Sequence, residues 1–353
     1  MNDRNENLPL VSIMIPNYNY GRYLEQCLES ILNQTYPNIE VSFSDNNSTD
    51  DSFEIAYRYR KKFLEKGIWF HLNDNKYNLG GFKNAYIAES HTEGDFIHDI
   101  ASDDAAAPTF IERCMDIFIK YPSVCSVITH REEMDEKGKV SQSPPFFNTD
   151  FIIDGESMAA VYMMAGIAIP GQRIFRRCAL NRNIAAKNKS KQIRFQIAGD
   201  WFYNFIYAMV GDVAYIKEPL FQYRVHSGSE SNMSERNLSG IFEHYQLINT
   251  FKTISEDFGM TKPSARYNEA VEKLGGMCLR YALKMLKNGW DDIALRYLKL
   301  APVFKSDIEN DTIYKDLLRC VNATSSENRE IITSLGTLTR TVSYDPPEGY
   351  ISL

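Results

Sequence analysis

The residues best suited to chemistry in this chain are carboxylates at the ends of apolar segments. Asp103-Asp104 closes the run Asp95–Ile100, and Asp45-Asn46-Asn47-Ser48-Thr49-Asp50 closes Ile39–Phe43. Adjacent acids repel unless a cation offsets them. A divalent metal does so, and an oxygen-only donor set suits Mg²⁺ or Mn²⁺, which keep several waters and bridge substrate phosphates. The plainer reading is solvated acids at a loop, with Ser48 or Thr49 capping the next helix and Asp50 and Asp51 favoured by its dipole. An EF-hand does not fit, because its sixth position would be Asp50 and its twelfth Ala56. Asn78-Leu79-Gly80-Gly81 matches neither a dinucleotide fingerprint nor a P-loop. A nucleotide held here would lack a glycine cradle, and a metal at Asp104 would hold its diphosphate.

The elements that must position these residues alternate. Val11, Ile13 and Ile15 form a short strand before Pro16, and Leu24, Cys27, Leu28, Ile31 and Leu32 follow at helical spacing. Ile39–Phe43 is a second strand, Phe53–Leu64 a helix stopped by Gly67, and Ile68–Leu72 a third strand. Asn84–Ser90 lies in a helix and Asp95–Ile100 in a fourth strand. This rhythm predicts an α/β chain with a mostly parallel sheet flanked by helices. Ligands bind such sheets at the carboxyl ends of the strands, where Pro16–Asn19, Asp45–Asn47 and Ser102–Asp104 fall.

Beyond residue 105 the pattern loosens. Pro108–Tyr121 is predicted helical, Ser126–Thr129 a strand, Lys137–Asp154 a loop, Asp200–Val210 a helix, and Val213–Val225 a strand pair broken at Pro219. Residues 241–258, 267–287 and 291–300 read as amphipathic helices, with Asn288-Gly289 as an αα turn. The expected domains are a catalytic unit over 1–235, with a nucleotide half (1–104) and an acceptor half (105–235), and a helical module over 236–353.

The ordered set Val11-Ser-Ile-Met-Ile-Pro-Asn-Tyr-Asn19, Asp45-Asn-Asn-Ser-Thr-Asp50, Asn78-x-Gly80, Asp103-Asp104, Gly199-Asp200 and Tyr223-Arg-Val-His226 resembles glycosyltransferase family 2. The resemblance covers roughly residues 10–232. It implies an inverting enzyme of the GT-A fold that uses a nucleotide-diphosphate sugar, with Mn²⁺ or Mg²⁺. By the same resemblance Pro16, Asn17 and Tyr18 line the nucleotide pocket and Asp45 and Asn46 lie near the base. Asn84 helps close the pocket, Asp103 reaches the ribose or the metal, and Asp104 ligates the metal. His226 ligates the metal or contacts the diphosphate, and Asp200 matches the catalytic base. Many relatives have a second Asp where this chain has Asn46, which can accept from a uracil N–H and can also donate. Arg224 is a candidate diphosphate clamp, since guanidinium matches phosphate geometry.

Inversion needs one in-line displacement, so the base must lie across the sugar from the metal carboxylate. The implied function is transfer from a nucleotide sugar, a UDP-sugar by the resemblance, to a saccharide or lipid-linked acceptor in cell-surface polysaccharide synthesis. Two other readings are an inactive GT-A-like domain that binds carbohydrate or a partner, and a sugar-1-phosphate nucleotidyltransferase. The latter wants a Gly-rich loop with Arg and Lys, and Met14–Arg22 offers only Gly21.

Composition bounds the rest. In 353 residues, 46 acids outweigh 39 Lys and Arg, a balance that argues against nucleic acid as a partner. Residues 1–9 are polar, unlike a signal peptide. The apolar run Ala159–Pro170 is 12 residues, short of the about 20 that span a bilayer. Six scattered cysteines point away from a disulfide scaffold or structural zinc. A cytoplasmic protein is expected, in contact with the inner face of the plasma membrane through residues 157–199. That stretch holds no acid but eight cations: Arg173, Arg176, Arg177, Arg182, Lys187, Lys189, Lys191 and Arg194. The helical tail is an expected site of self-association.

Overall fold

A computed structural model describes residues 8–179, 195, 198–226, 230–322, 332–336 and 342–353. The first half follows the alternating pattern: β1 (Val11–Asn17), α1 (Gly21–Leu32), β2 (Ile39–Asp45), α2 (Ser52–Glu65), β3 (Trp69–Asp74), α3 (Gly81–Ser90) and β4 (Phe96–Asp99). These strands lie in the order β3-β2-β1-β4, all parallel, so Asn17, Asp45 and Asp99 end at one edge. Leu24, Leu28 and Ile31 of α1 and Ile55, Tyr59 and Phe63 of α2 bury one stripe each in a core with Ile13, Ile15 and Phe43.

The second half contributes β5 (Ala105–Ala106), α4 (Phe110–Lys120), β6 (Val124–Met134), β7 (Val140–Ser141), β8 (Phe151–Ile153), α5 (Gly155–Met164), β9 (Arg173–Arg176), α6 (Gly199–Ala208) and β10 (Asp212–Arg224). Here antiparallel strands join the sheet. β9 runs antiparallel between β4 and β6, whereas β6 and β10 are parallel. β9 sits inside the basic stretch, where charge hides its Ile174 and Phe175, both buried. The strand pair expected at Val213–Val225 is one strand whose register shifts around Pro219, a residue that cannot donate to the ladder. The expected loop over 137–154 contains β7 and β8.

The helices that follow are α7 (Glu230–Arg236), α8 (Ser239–Asp257), α9 (Thr261–Ala265), α10 (Tyr267–Lys287), α11 (Asp291–Phe304) and α12 (Thr312–Asn322). They share one core with the preceding half: Tyr162, Phe205 and Tyr215 belong to the same buried cluster as Phe251, Leu279 and Tyr297. Phe205 stacks on Phe251 at 4.0 Å between ring centroids. The core therefore crosses residue 236 without a break. The chain then returns to the sheet, where β11 (Ile351–Ser352) pairs antiparallel with β8. No described helix is long and apolar enough to cross a membrane.

Candidate active site

The ends of β1 and β2 are tied to each other before any ligand arrives. Asn17 Nδ2 donates to Asp45 Oδ1 at 2.8 Å, and Ser48 donates to Asp45 through both its N–H and its Oγ, each at 2.7 Å. Asn19 and Asn47 take positive φ angles of 56° and 62°, a region asparagine tolerates in tight turns. Asn19 Oδ1 accepts from Thr49 N at 2.8 Å, which fixes one rim of the cleft to the other. Asp50 joins the starts of two helices, accepting from Gly21 N at 2.9 Å and from Ser52 Oγ at 2.6 Å. A Cβ at residue 21 would lie 2.2 Å from Asp51 Oδ1, so a larger residue there would displace the Asp51 side chain.

Asn84 and Asn46 are buried braces. Asn84 Nδ2 donates to the carbonyls of Asn17 and Ser44, and its Oδ1 accepts from Ser44 Oγ and Asn75 Nδ2, all at 2.8–3.1 Å. Asn46 Oδ1 accepts from Leu79 N at 2.9 Å, and its Nδ2 donates to Asn78 Oδ1 at 2.9 Å. Both amides thus shape the pocket wall from behind. Among the pocket residues expected from the sequence, Tyr18 is exposed, 42% of its surface facing solvent, and offers a ring at the rim. Asn17 Oδ1 is buried with no hydrogen-bond partner among the described residues.

The acidic doublet divides its labour. Oδ2 of Asp103 lies 3.2 Å from Nε2 of His226, whose ring packs on Tyr20 and Tyr23. Asp104 turns inward, its Oδ1 accepting from Arg224 N at 2.8 Å. Burial and the adjacent Asp103 push the Asp104 carboxyl well above the usual range. Asp103 is thus paired with His226, while one oxygen of Asp104, the residue expected to face a metal, is held by the main chain of β10.

Arg224 is corrected more fully. Its Nε donates to Asp103 O at 2.8 Å, Nη1 to Asp135 O at 2.9 Å and Nη2 to Gln26 Oε1 at 2.6 Å. The guanidinium lies over the Tyr23 ring at 4.4 Å and the residue is 2% exposed. A group spent on three protein acceptors strengthens the scaffold; it is not arranged as a diphosphate clamp.

Asp200 sits in the first turn of α6 and accepts from Trp201 N at 2.8 Å. It is not the helix cap, which is Ala198. Burial raises its pKa, while Arg173, that hydrogen bond and Arg131 pull it down. A carboxylate raised in this way is a stronger proton acceptor. Asp104 and Asp200 both feel Arg131, and the Tyr223 hydroxyl feels Asp103, Asp104 and Asp200 together. The doublet and Asp200 therefore lie within electrostatic reach of the same two side chains, Arg131 and Tyr223.

Arg131 is the functional candidate that sequence reasoning missed. It lies on β6, stacks over the Tyr223 ring at 5.5 Å and donates through Nη1 to Gln172 Oε1 at 2.8 Å. Its signal was faint: one Arg ending the apolar run 124–130. Of the eight cations of the basic stretch, three are built into the fold. Arg173 is buried, Arg176 donates to the carbonyls of Val124 and Phe118, and Arg177 to Gly94 O and Thr92 Oγ1. Arg182, Lys187, Lys189, Lys191 and Arg194 lie outside the described residues.

No cluster of three or more His, Cys, Asp or Glu side chains comes together among the described residues. Asp103 and His226 nevertheless fit a divalent cation of the Mg²⁺ or Mn²⁺ type. An oxygen and an imidazole nitrogen face one another, and such ions take their remaining ligands from water and substrate phosphate.

Residues 12–182 match the family model described as glycosyl transferase family 2. Over 133 residues the chain is 35% identical to a chondroitin synthase of Escherichia coli, a match covering 38% of this chain and 19% of that enzyme. The chain thus spans a small part of that relative. The fold resembles S. aureus TarS 1-349 in complex with UDP-GlcNAc, with a TM-score of 0.58 and 16% identity over 94% of this chain and 93% of that one. A mannosyltransferase from Pyrobaculum calidifontis, solved with GDP-Man and Mn2+, overlays with a TM-score of 0.50 at 15% identity, covering 94% of this chain and 87% of that one. At such identities the likeness establishes the fold, the GT-A arrangement expected from the sequence.

Proposed function

We propose that this chain, whose residues 12–182 match the model of glycosyl transferase family 2, is an inverting, metal-dependent transferase. It moves a hexosyl or N-acetylhexosaminyl group from a UDP-sugar to a hydroxyl of a saccharide or lipid-linked acceptor in cell-surface polysaccharide synthesis. What supports this reading is that Asp103, Asp104 and Asp200 all act on the Tyr223 hydroxyl, while Asp103 meets His226 at 3.2 Å. Both relatives of known fold have a nucleotide sugar in their complexes.

In this reading Asn17, Tyr18 and Asp45 receive the nucleoside, and the rims locked by Asn19 and Asp50 keep that pocket shaped. Asp103 and His226 hold the cation, which when bound offsets the charge developing on the departing diphosphate. Asp200 accepts the proton of the acceptor hydroxyl as its oxygen attacks the anomeric carbon and the bond to the diphosphate breaks. Work at the cytoplasmic face of the membrane, and self-association through the helices, belong to this proposal as well.

Asp200→Asn tests it. Binding of UDP with Mn²⁺ should persist, while turnover of the best substrate from a panel of UDP-sugars should fall by about 10²–10⁴-fold. Near-normal turnover would refute the assignment.

A further inference from the structure

Beneath the site lies a buried cation that the reaction scheme leaves unused. Arg173 on β9 is 1% exposed, and its Nη2 pairs with Asp99 Oδ2 at 2.7 Å. Its Nη1 donates to Asn204 Oδ1 at 2.8 Å. Asn204 is four residues after Asp200 on α6, so the two share a helix face. Asn204 in turn donates to Ala168 O at 2.9 Å, fastening the helix to the strand approach. The Arg173 Nε, also buried, has no hydrogen-bond partner among the described residues. Asp99 thus engages one side of the guanidinium, and Asp200 is the second carboxylate within its field.

We propose that Arg173 is a positioning residue for Asp200, tying the helix that carries it to the sheet and supplying the buried cation that keeps its carboxylate ionised. The inference rests on the reading of Asp200 as the base. An ion pair sunk below a site is poor value as a stabiliser, since desolvation consumes most of its attraction. Its use here is electrostatic. Asp200 sits where burial favours the protonated acid, and a protonated base cannot accept the acceptor's proton. Among the described residues the other charged or titratable groups around it are Asp99 on β4, Arg131 on β6, Tyr223 on β10 and Glu243 on α8, which accepts from Ala198 N at 3.0 Å. Among the described residues Arg173 lowers the Asp200 pKa more than Arg131 does.

The experiment compares three whole-chain variants. Arg173→Gln with Asp99→Asn removes the pair together, so no lone buried charge remains; Arg173→Lys keeps the cation; Asn204→Ala cuts only the tie to the helix. Asp200 is followed by NMR of ¹³Cγ-labelled aspartate, its signal identified by its loss in Asp200→Asn. In the double variant its titration midpoint should rise, because Arg173 lowers it more than Asp99 raises it, and the acid limb of the UDP-sugar turnover profile should rise with it. Arg173→Lys should restore both toward wild type. An unchanged Asp200 titration in the double variant overturns the proposal. If the double variant does not fold, Asn204→Ala decides: kcat should drop about tenfold with UDP affinity unchanged, and an unaltered kcat overturns it. A shifted titration alongside normal turnover in Asp200→Asn would instead retire the base assignment and leave the coupling standing.

Discussion

Asp103 Oδ2 stands 3.2 Å from His226 Nε2, while the adjacent Asp104 Oδ1 accepts the main-chain N–H of Arg224 at 2.8 Å. Two neighbouring carboxylates, one residue apart in sequence, therefore face opposite tasks. The first meets the imidazole of His226 and the second pins the end of β10 to the loop after β4.

Variants should separate these tasks. Asp103→Asn and His226→Gln should each weaken Mn²⁺-dependent UDP binding by tenfold or more in calorimetric titrations, with little change in Tm. Asp104→Ala should instead destabilise the fold by about 1–3 kcal/mol, since it leaves a buried N–H without its acceptor. Equal loss of metal-dependent binding in Asp104→Ala, at unchanged Tm, would reverse the assignment.

The two arginines of the site should part in the same way. Arg131 donates to Gln172 Oε1 and lies over the Tyr223 ring, whereas Arg224 is spent on three protein acceptors. Arg131→Met should lower UDP affinity about tenfold, near 1.4 kcal/mol, at a Tm close to wild type. Arg224→Met should lower the urea midpoint by the equivalent of about 2–4 kcal/mol, by stranding buried acceptors. A large affinity loss in Arg224→Met at full stability would restore it as the clamp.

Acid should loosen the protein before its carboxylates titrate. His98 is fully buried on β4, its Nε2 3.0 Å from Gly171 O, and burial lowers its pKa to about 4. The ring is neutral in the fold but takes a proton in the unfolded chain below about pH 6.5. Stability is therefore full above that value and falls as pH drops toward 4, by on the order of 3 kcal/mol for this group. Urea midpoints at pH 7.5 and pH 5 measure the slope, and His98→Gln should flatten it. An equal slope in that variant would point to other groups, such as His244, which burial also lowers to about 4.

Much of the nucleotide half was legible because its elements obey local rules. The 3.6 period of α1 and the alternation in β1 are set by which residues are buried, and polar strand ends mark the site. What escaped was non-local. β9 is short and flanked by arginines, so its charge read as surface, although Arg173 is buried by pairing with Asp99 from another strand. Asp103 and Asp104 could not be told apart by type, because only the return of β10 decides which one meets a backbone N–H. The same holds for Arg224: a motif can name a guanidinium, but its acceptors Asp135 and Gln26 are supplied by distant loops and helices. The boundary near residue 236 followed a change in sequence character that the packing ignores, since Phe205 stacks on Phe251 across it.

The pairing of β11 with β8 bears on aggregation. Without it β8 would present a row of open backbone groups at the margin of the sheet, a template on which another chain could dock. Ile351 opposite Ile152 and Ser352 opposite Phe151 close that margin with a strand of two residues. A strand so short offers too few donors and acceptors to seed a further one. Loss of the last dozen residues would thus be felt first as stickiness at high concentration, with the site of chemistry at the far strand ends left intact.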